Sequence, residues 1–161
     1  MTKQIPYRIR YASADDDQAL LNLMWQLAEF EAYAHAFKVD AVELRRRGLG
    51  VTGEQNRQFT AIVAQAQDGR LLAYAVLCQQ DFTYDLRPTL LLKELFVSEA
   101  ERGQGIASKL MAFVLQHARD VGAGRLKWDV LPDNLAAQAF YRRLGAEPVS
   151  DWQAWRLDLP G

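Results

Sequence analysis

The chain lacks the means for a disulfide framework: Cys78 is the one cysteine among 161 residues, and a reducing, cytoplasmic setting is the expectation. It also lacks an excess of either charge. The 19 lysines and arginines meet 20 aspartates and glutamates, a formal net charge of −1, whereas a general nucleic-acid binder gathers a basic excess on one face, so no nucleic-acid partner is expected. No apolar run approaches the roughly 20 residues that cross a bilayer. The start, MTKQIPYRIRYASADDD, is basic but carries no apolar stretch of the kind a secretory signal needs, and no membrane partner is expected. The two histidines, His35 and His117, have no ligand-like neighbours at metal spacing, so no metal is inferred. Internal repeats, low-complexity tracts and Pro/Gly/Ser-rich linkers are missing too. What the chain does have is apolar residues, half of its total, patterned from residue 5 to 159 without a break. A chain of this length buries on the order of 70% of its unfolded surface. The expectation is one domain over residues 1–161, a soluble globule that handles a small molecule.

The patterning predicts ten elements in the order β, α, α, β, β, β, α, β, α, β. Tyr7 to Tyr11 reads as a short strand, and Ser13 followed by Asp16 as the entry to a helix. That helix carries Leu20, Leu23, Met24, Leu27, Phe30 and Glu31 on one stripe, which turns from apolar to acidic at its end and there faces a cavity. Asp40 and Glu43 open a second short helix that closes around Gly48 and Gly50. Phe59 to Ala66 and Leu71 to Gln79 are strands of a hairpin turning at Asp68-Gly69. Thr89 to Val97 is apolar enough to suggest the centre of the sheet. Ile106 to Ala118 forms a long helix, Leu126 to Leu131 a strand, Leu135 to Leu144 a helix ended by Gly145, and Trp152 to Leu159 a final strand. The fold class expected is α/β: a mixed, mostly antiparallel central sheet flanked by helices, with a βαβ unit in the C-terminal half.

The most informative stretch is LFVSEAERGQGIASKLMAFVL, where a strand ends at Val97 and a turn bearing Gly103 and Gly105 leads straight into a helix. Glycines permit the tight turn, and the free N–H groups and dipole of the helix's first turn suit a phosphate. Two familiar fingerprints fit poorly. A nucleotide P-loop needs Gly-Lys-Ser/Thr where Gly105 is followed by Ile106 and Ala107. The dinucleotide pattern needs Gly or Ala where Ser108 stands, on the first βαβ unit of a chain rather than the last.

The string RGQGIA, from Arg102 to Ala107, matches instead the Arg/Gln-x-x-Gly-x-Gly/Ala motif of the Gcn5-related N-acetyltransferase (GNAT) superfamily, which the chain resembles. Asp133-Asn134 followed by QAFYRRLGAEP is similar to that family's second signature. LAEFEA at 27–32, FTYD at 82–85, ELFV at 94–97 and the terminal WQAWRL resemble its diamine and polyamine branch, which includes the thialysine acetyltransferases. The resemblance implies the GNAT fold and acetyl-CoA as cosubstrate. Leu95, Phe96 and Val97 would hold the pantetheine arm, the loop from Arg102 through Gly103, Gln104, Gly105, Ile106, Ala107 and Ser108 the diphosphate, and a helix bearing Asn134, Ala137 and Tyr141 would approach the thioester. It further implies Tyr141 as general acid, the Val97 N–H as oxyanion donor, a homodimer, and an acceptor site formed by Phe30, Glu31, Asp85, Lys93 and Glu94.

Transfer to an amine needs a neutral nucleophile, an oxyanion donor and a proton for the thiolate. Where the branch places two acids before its strand end, this chain has Lys93-Glu94. Alternation along a strand sends these two to opposite faces, and Glu94 keeps an acid at the second position as a base acting through water. A lysine on the acceptor side opposes a multiply charged amine, so the expectation shifts toward a smaller amine that carries an anionic group, such as a lysine analogue. Cys78 reads as a small core residue rather than a nucleophile, Arg45 to Arg47 as a solvated helix face, and Trp128, Trp152 and Trp155 as core and interface aromatics. The leading expectation is an acetyl-CoA-dependent N-acetyltransferase for a primary amine of a diamine, polyamine or lysine-like amino acid, acting by direct transfer. The alternatives are an acyl-CoA-binding regulatory domain without turnover, a nucleotide-binding module, and an acetyltransferase for an aminoglycoside or a protein amine.

Overall fold

Strand β1 spans Tyr7–Tyr11 and is followed by a turn in which the Ser13 N–H donates to the Asp16 carboxylate at 2.7 Å. This is the capped entry the sequence predicts, and it opens helix α1, Asp17–Phe30. The computed structural model describes residues 4–53 and 56–161. Its contacts gather into two compact groups, residues 1–128 and residues 129–161.

In the first group, Asp40 accepts from the Glu43 N–H and starts the one-turn helix α2, Ala41–Leu44, which runs on through Leu49 as a wider turn. Strands β2, Thr60–Ala66, and β3, Leu71–Gln80, form the expected antiparallel hairpin. Strand β4, Thr89–Val97, pairs antiparallel with β3, and helix α3, Ile106–Asp120, crosses over to β5, Arg125–Lys127, which lies parallel to β4. The sheet order is β1-β2-β3-β4-β5, the mixed, mostly antiparallel sheet with a βαβ unit that the sequence predicts. Two expectations are corrected. The middle strand is β3, not β4, and β3 is buried on both faces from Leu72 to Leu77, as its neighbour β2 is from Ala61 to Ala64. The strand expected over Leu126 to Leu131 stops at Lys127, since only Thr89–Leu91 of β4 pairs with it.

One face of the sheet packs under α1: Leu20, Leu23, Met24 and Leu27 meet Ala61, Val63, Tyr74, Val76 and Phe96. Each of the leucine, methionine, valine and phenylalanine side chains among them, when fully buried, stabilises the fold by about 1.5–3 kcal/mol. Helix α3 lies against strands β1 to β4 with Ile106, Leu110, Met111 and Val114 buried.

In the second group, Asn134 Oδ1 accepts from the Ala137 N–H and caps helix α4, Leu135–Arg143. Gly145, at φ 90°, ends it, with the Gly145 and Ala146 N–H groups returning to the carbonyls of Arg142 and Tyr141. The final strand expected over Trp152 to Leu159 does not form. Trp155, Leu157 and Leu159 do alternate with polar Arg156 and Asp158, but no described strand pairs with this segment, and an extended chain without a ladder leaves its backbone groups to water. Trp152 and Trp155, expected as core or interface aromatics, are 84% and 90% exposed in the single chain and so are not part of its core.

Candidate active site

The glycine turn delivers what its spacing predicts. Gly103 and Gly105 sit at φ 81° and 78°, in the left-handed region that favours glycine, and a side chain added at either would meet nothing within 4 Å. The space over the turn is therefore open. No side chain caps α3, so its first-turn N–H groups, which have no partner within the helix, are not satisfied by a capping group. The turn is tied down from below: buried Glu101 accepts from Gln104 Nε2 at 3.0 Å, and Gln104 Oε1 takes the Ile5 N–H at 3.4 Å. An open, anchored row of N–H groups at the positive end of a 15-residue helix fits a diphosphate. Ile106 is buried and holds the helix to the sheet, while Ala107 is half-buried and Ser108 exposed.

The adjoining end of β4 is open along one edge. Ser98 N–H donates to the Leu72 carbonyl, so ladder alternation turns the Val97 N–H to the opposite edge, where pairing with β5 ended at Leu91. The Arg102 side chain folds along that end. Its Nε donates to the Val97 carbonyl at 3.2 Å, and its guanidinium lies 5.2 Å from the Phe30 ring centroid and 5.6 Å from that of Phe96. Arg102 thus joins the glycine turn to Phe30 at the end of α1. Phe96 is buried, with Leu95 and Val97 half-buried beside it.

A β-bulge shapes the acceptor-side residues. Val76 pairs with Glu94 and Leu77 with Leu92, which leaves Lys93 as the extra residue. The expectation that Lys93 and Glu94 face opposite sides is therefore corrected. The bulge interrupts the alternation, and Lys93 Nζ lies 3.6 Å from Glu94 Oε1. Glu94, opposite Val76, is on the α1 face, where α1 ends. Glu31 is the C-terminal cap of α1, followed by Ala32 at φ 62°, a left-handed turn that brings the chain round to Tyr33. Burial, then the charge of Glu94, pushes the Glu31 carboxyl above its ordinary range, against a lowering by Lys93. Tyr33 is pushed up to about 12 by burial, Glu94 and Glu31. Glu31, Tyr33, Lys93 and Glu94 thus form one electrostatic neighbourhood.

Asp85 has a different setting. Its carboxylate accepts from Arg125 at 2.6 Å and from Arg87 at 3.1 Å, with Thr83 adding a third donor. The Arg125 hydrogen bond, aided by those from Thr83 and Arg87, holds it well below the usual carboxylate range. Arg125 also donates to Thr89, five residues along β4 from Glu94, about 16 Å at strand rise. Phe30, Glu31, Lys93 and Glu94 are brought together, and Asp85 is engaged elsewhere by two arginines. Tyr33 and Tyr74 were missed, because each reads as an aromatic in an apolar run.

In residues 129–161, Tyr141 is half-buried on α4 with its ring 5.4 Å from Phe140, and Asn134 and Ala137 bond one another at the helix start. Cys78 is half-buried on β3, and burial pushes its thiol up, which disfavours a thiolate nucleophile. Among the described residues there is no cluster of His, Cys, Asp and Glu able to hold a metal, and no helix is long and apolar enough to cross a membrane.

The chain is 29% identical over 150 residues to a thialysine N-epsilon-acetyltransferase of Bos taurus, covering 91% of this chain and 88% of that protein. It is 28% identical over 158 residues to spermidine/spermine N(1)-acetyltransferase-like protein 1 of Homo sapiens, covering 94% of this chain and 22% of that longer protein. A solved structure of a possible acetyltransferase from Clostridium difficile 630 matches with a TM-score of 0.77 at 17% identity, over 96% of this chain and 99% of that one, a likeness of fold alone. The model of the acetyltransferase (GNAT) family matches residues 18–146, from α1 through the glycine turn to the end of α4. With the open glycine turn, the part-unpaired strand and the crossover helix in the order that the family model spans, the chain belongs to the acetyltransferase (GNAT) family.

Proposed function

We propose that residues 1–161 form one acetyl-CoA-dependent N-acetyltransferase domain whose acceptor is the primary amine of a small, lysine-like amino acid. The carrying observation is the bulge that sets Lys93 and Glu94 on one face beside Glu31. Two carboxylates and one ammonium complement a molecule that bears an ammonium at one end and a carboxylate at another. A polyamine lacks the anion that Lys93 would pair with. The relative of Bos taurus, a thialysine acetyltransferase by name, acts on an amino acid of this charge pattern.

Acetyl-CoA supplies the acetyl group as a thioester. The N–H groups from Gly103 to Ala107 hold its diphosphate, with Leu95 and Phe96 along the pantetheine arm. Glu31 binds the acceptor ammonium while Glu94 accepts its proton, directly or through water, and frees the amine lone pair. The Val97 N–H, turned to the open edge of β4, donates to the oxygen that gains charge. Tyr141 gives its phenolic proton to the departing thiolate. No metal takes part. The working form is a cytoplasmic homodimer, which light scattering tests directly. Thiol release from acetyl-CoA over a panel of lysine analogues, ornithine-like amino acids, polyamines and aminoglycosides tests the reaction, with highest kcat/KM expected for a lysine analogue. Acetyl-CoA binding by calorimetry without turnover on any amine would favour a regulatory domain instead, and binding of ATP or NAD without acetyl-CoA a nucleotide module.

A further inference from the structure

Beneath α1 lies a hydroxyl that this chemistry leaves unused. Tyr74 is fully buried in the cluster formed with Leu20, Leu23, Met24 and Leu27, its ring tilted against Phe96 at 6.2 Å. Its Oη is buried without a hydrogen-bond partner. Phenylalanine would occupy the same apolar space without burying an unpaired donor, an arrangement that costs stability. One side of the surroundings is polar, however. Tyr74 stands two residues before Val76, the cross-strand partner of Glu94, and so shares a sheet face with that carboxylate. Glu94, after burial itself, contributes to holding the proton on the Tyr74 phenol, with Tyr33 and Glu31 adding to the effect. A phenol that keeps its proton beside a carboxylate is a donor facing an acceptor. The phenol and the carboxylate are close enough for a weak side-chain interaction but do not meet in a fully formed hydrogen bond, and Glu94 Oε1 is 3.6 Å from Lys93 Nζ.

We propose that Tyr74 is a positioning residue for the acceptor-side base: its buried hydroxyl donates to the Glu94 carboxylate as the acceptor ammonium docks, and fixes the oxygen that receives the ammonium proton. The inference rests on the acetyl-transfer reading and deepens it at the same site. Protons balance simply. One passes from the acceptor R–NH3+ to Glu94, leaving R–NH2 to attack, and Tyr74 keeps its own throughout. The unpaired hydroxyl of the free protein is then the cost of a donor held ready for the bound state.

Three variants measured with acetyl-CoA and a lysine analogue test it: Glu94→Gln, Tyr74→Phe and the double variant. Tyr74→Phe is expected to melt no lower than the wild type, to keep its KM for acetyl-CoA, and to lose about tenfold in kcat. The double variant is expected to lose no more than Glu94→Gln alone, because the phenol acts through that carboxylate. If Tyr74→Phe keeps kcat within about twofold of the wild type, or if the two losses multiply in the double variant, Tyr74 has no positioning role. A lowered melting temperature with a raised KM for acetyl-CoA would likewise overturn it in favour of packing. A Glu94→Gln variant with wild-type kcat would remove the base assignment itself, an outcome distinct from an impaired Glu94→Gln beside an unimpaired Tyr74→Phe.

Discussion

Replacing Lys93 by glutamate reverses the charge beside Glu94 and is expected to change the preference among amines by an amount the geometry sets. Lys93 Nζ lies 3.6 Å from Glu94 Oε1, so an ammonium held by Glu94 sits at a comparable distance from position 93. At that separation two unit charges interact by about 1 kcal/mol in water and several times more at lower effective dielectric. The Lys93 side chain is 62% exposed, so the water value applies. Lys93→Glu turns about 1 kcal/mol of repulsion into about 1 of attraction, roughly 2 kcal/mol in all or about 30-fold. A lysine analogue gains the same at its ammonium but loses its carboxylate partner, so the ratio of kcat/KM for spermidine over the lysine analogue should rise by about that factor. Steady-state thiol release at low ionic strength measures it, and added salt should shrink the effect. An unchanged ratio, or a wild type already fast on spermidine, would show that Lys93 does not meet the acceptor.

Gly105→Glu puts a side chain and a negative charge on a left-handed residue at the helix start; calorimetry should find acetyl-CoA affinity lost in a protein whose circular dichroism is unchanged, and retained affinity would exclude the turn. Tyr141→Phe should lower kcat by about 100- to 10,000-fold with acetyl-CoA affinity intact; wild-type turnover, measured where chemistry limits the rate, would pass the acid role to another group. The Arg10 guanidinium, bonded to both Asp16 oxygens at 2.7 and 2.8 Å, holds that carboxyl below its usual value. An unfolded aspartate takes up its proton first as pH falls, so the stabilisation is complete above the ordinary range and lost below it. Asp16→Asn should therefore cost about 2 kcal/mol in urea unfolding at neutral pH, the deficit shrinking below about pH 4; equal stability at neutral pH would refute the pairing.

Local signals carried most of the sheet and the glycine turn. Tyr7 to Tyr11, the Asp68-Gly69 hairpin and the glycine-to-helix junction are governed by neighbours a few residues apart, and all stand where their pattern puts them. What escaped was set by distant partners. The bulge at Lys93 is a mismatch between β3 and β4, invisible in either strand alone, and it reversed the inferred facing of Lys93 and Glu94. Asp85 resembles an acceptor acid until Arg125, 40 residues on, closes over it. Tyr74 looks like one more aromatic in an apolar strand, because periodicity marks burial but cannot mark a carboxylate across the ladder. The Trp152 to Leu159 segment has a strand's alternation, yet alternation describes a surface and does not supply a partner.

The extra residue in β4 also widens what a sheet can recognise. A regular strand shows one side chain on a given face about every 7 Å, too sparse to set a cation and an anion side by side from consecutive residues. With one residue left over, the strand spells a dipole in two adjacent letters, Lys93 and Glu94, whose charged ends stand 3.6 Å apart. Removing residue 93 would close the bulge: Leu92 would stay opposite Leu77 and Glu94 opposite Val76 in a regular register, so the α1 face would keep its carboxylate and lose the cation beside it. The pairing of Lys93 with Glu94 thus depends on backbone register as much as on residue identity, since neither charge would stand beside the other in a strand without the extra residue.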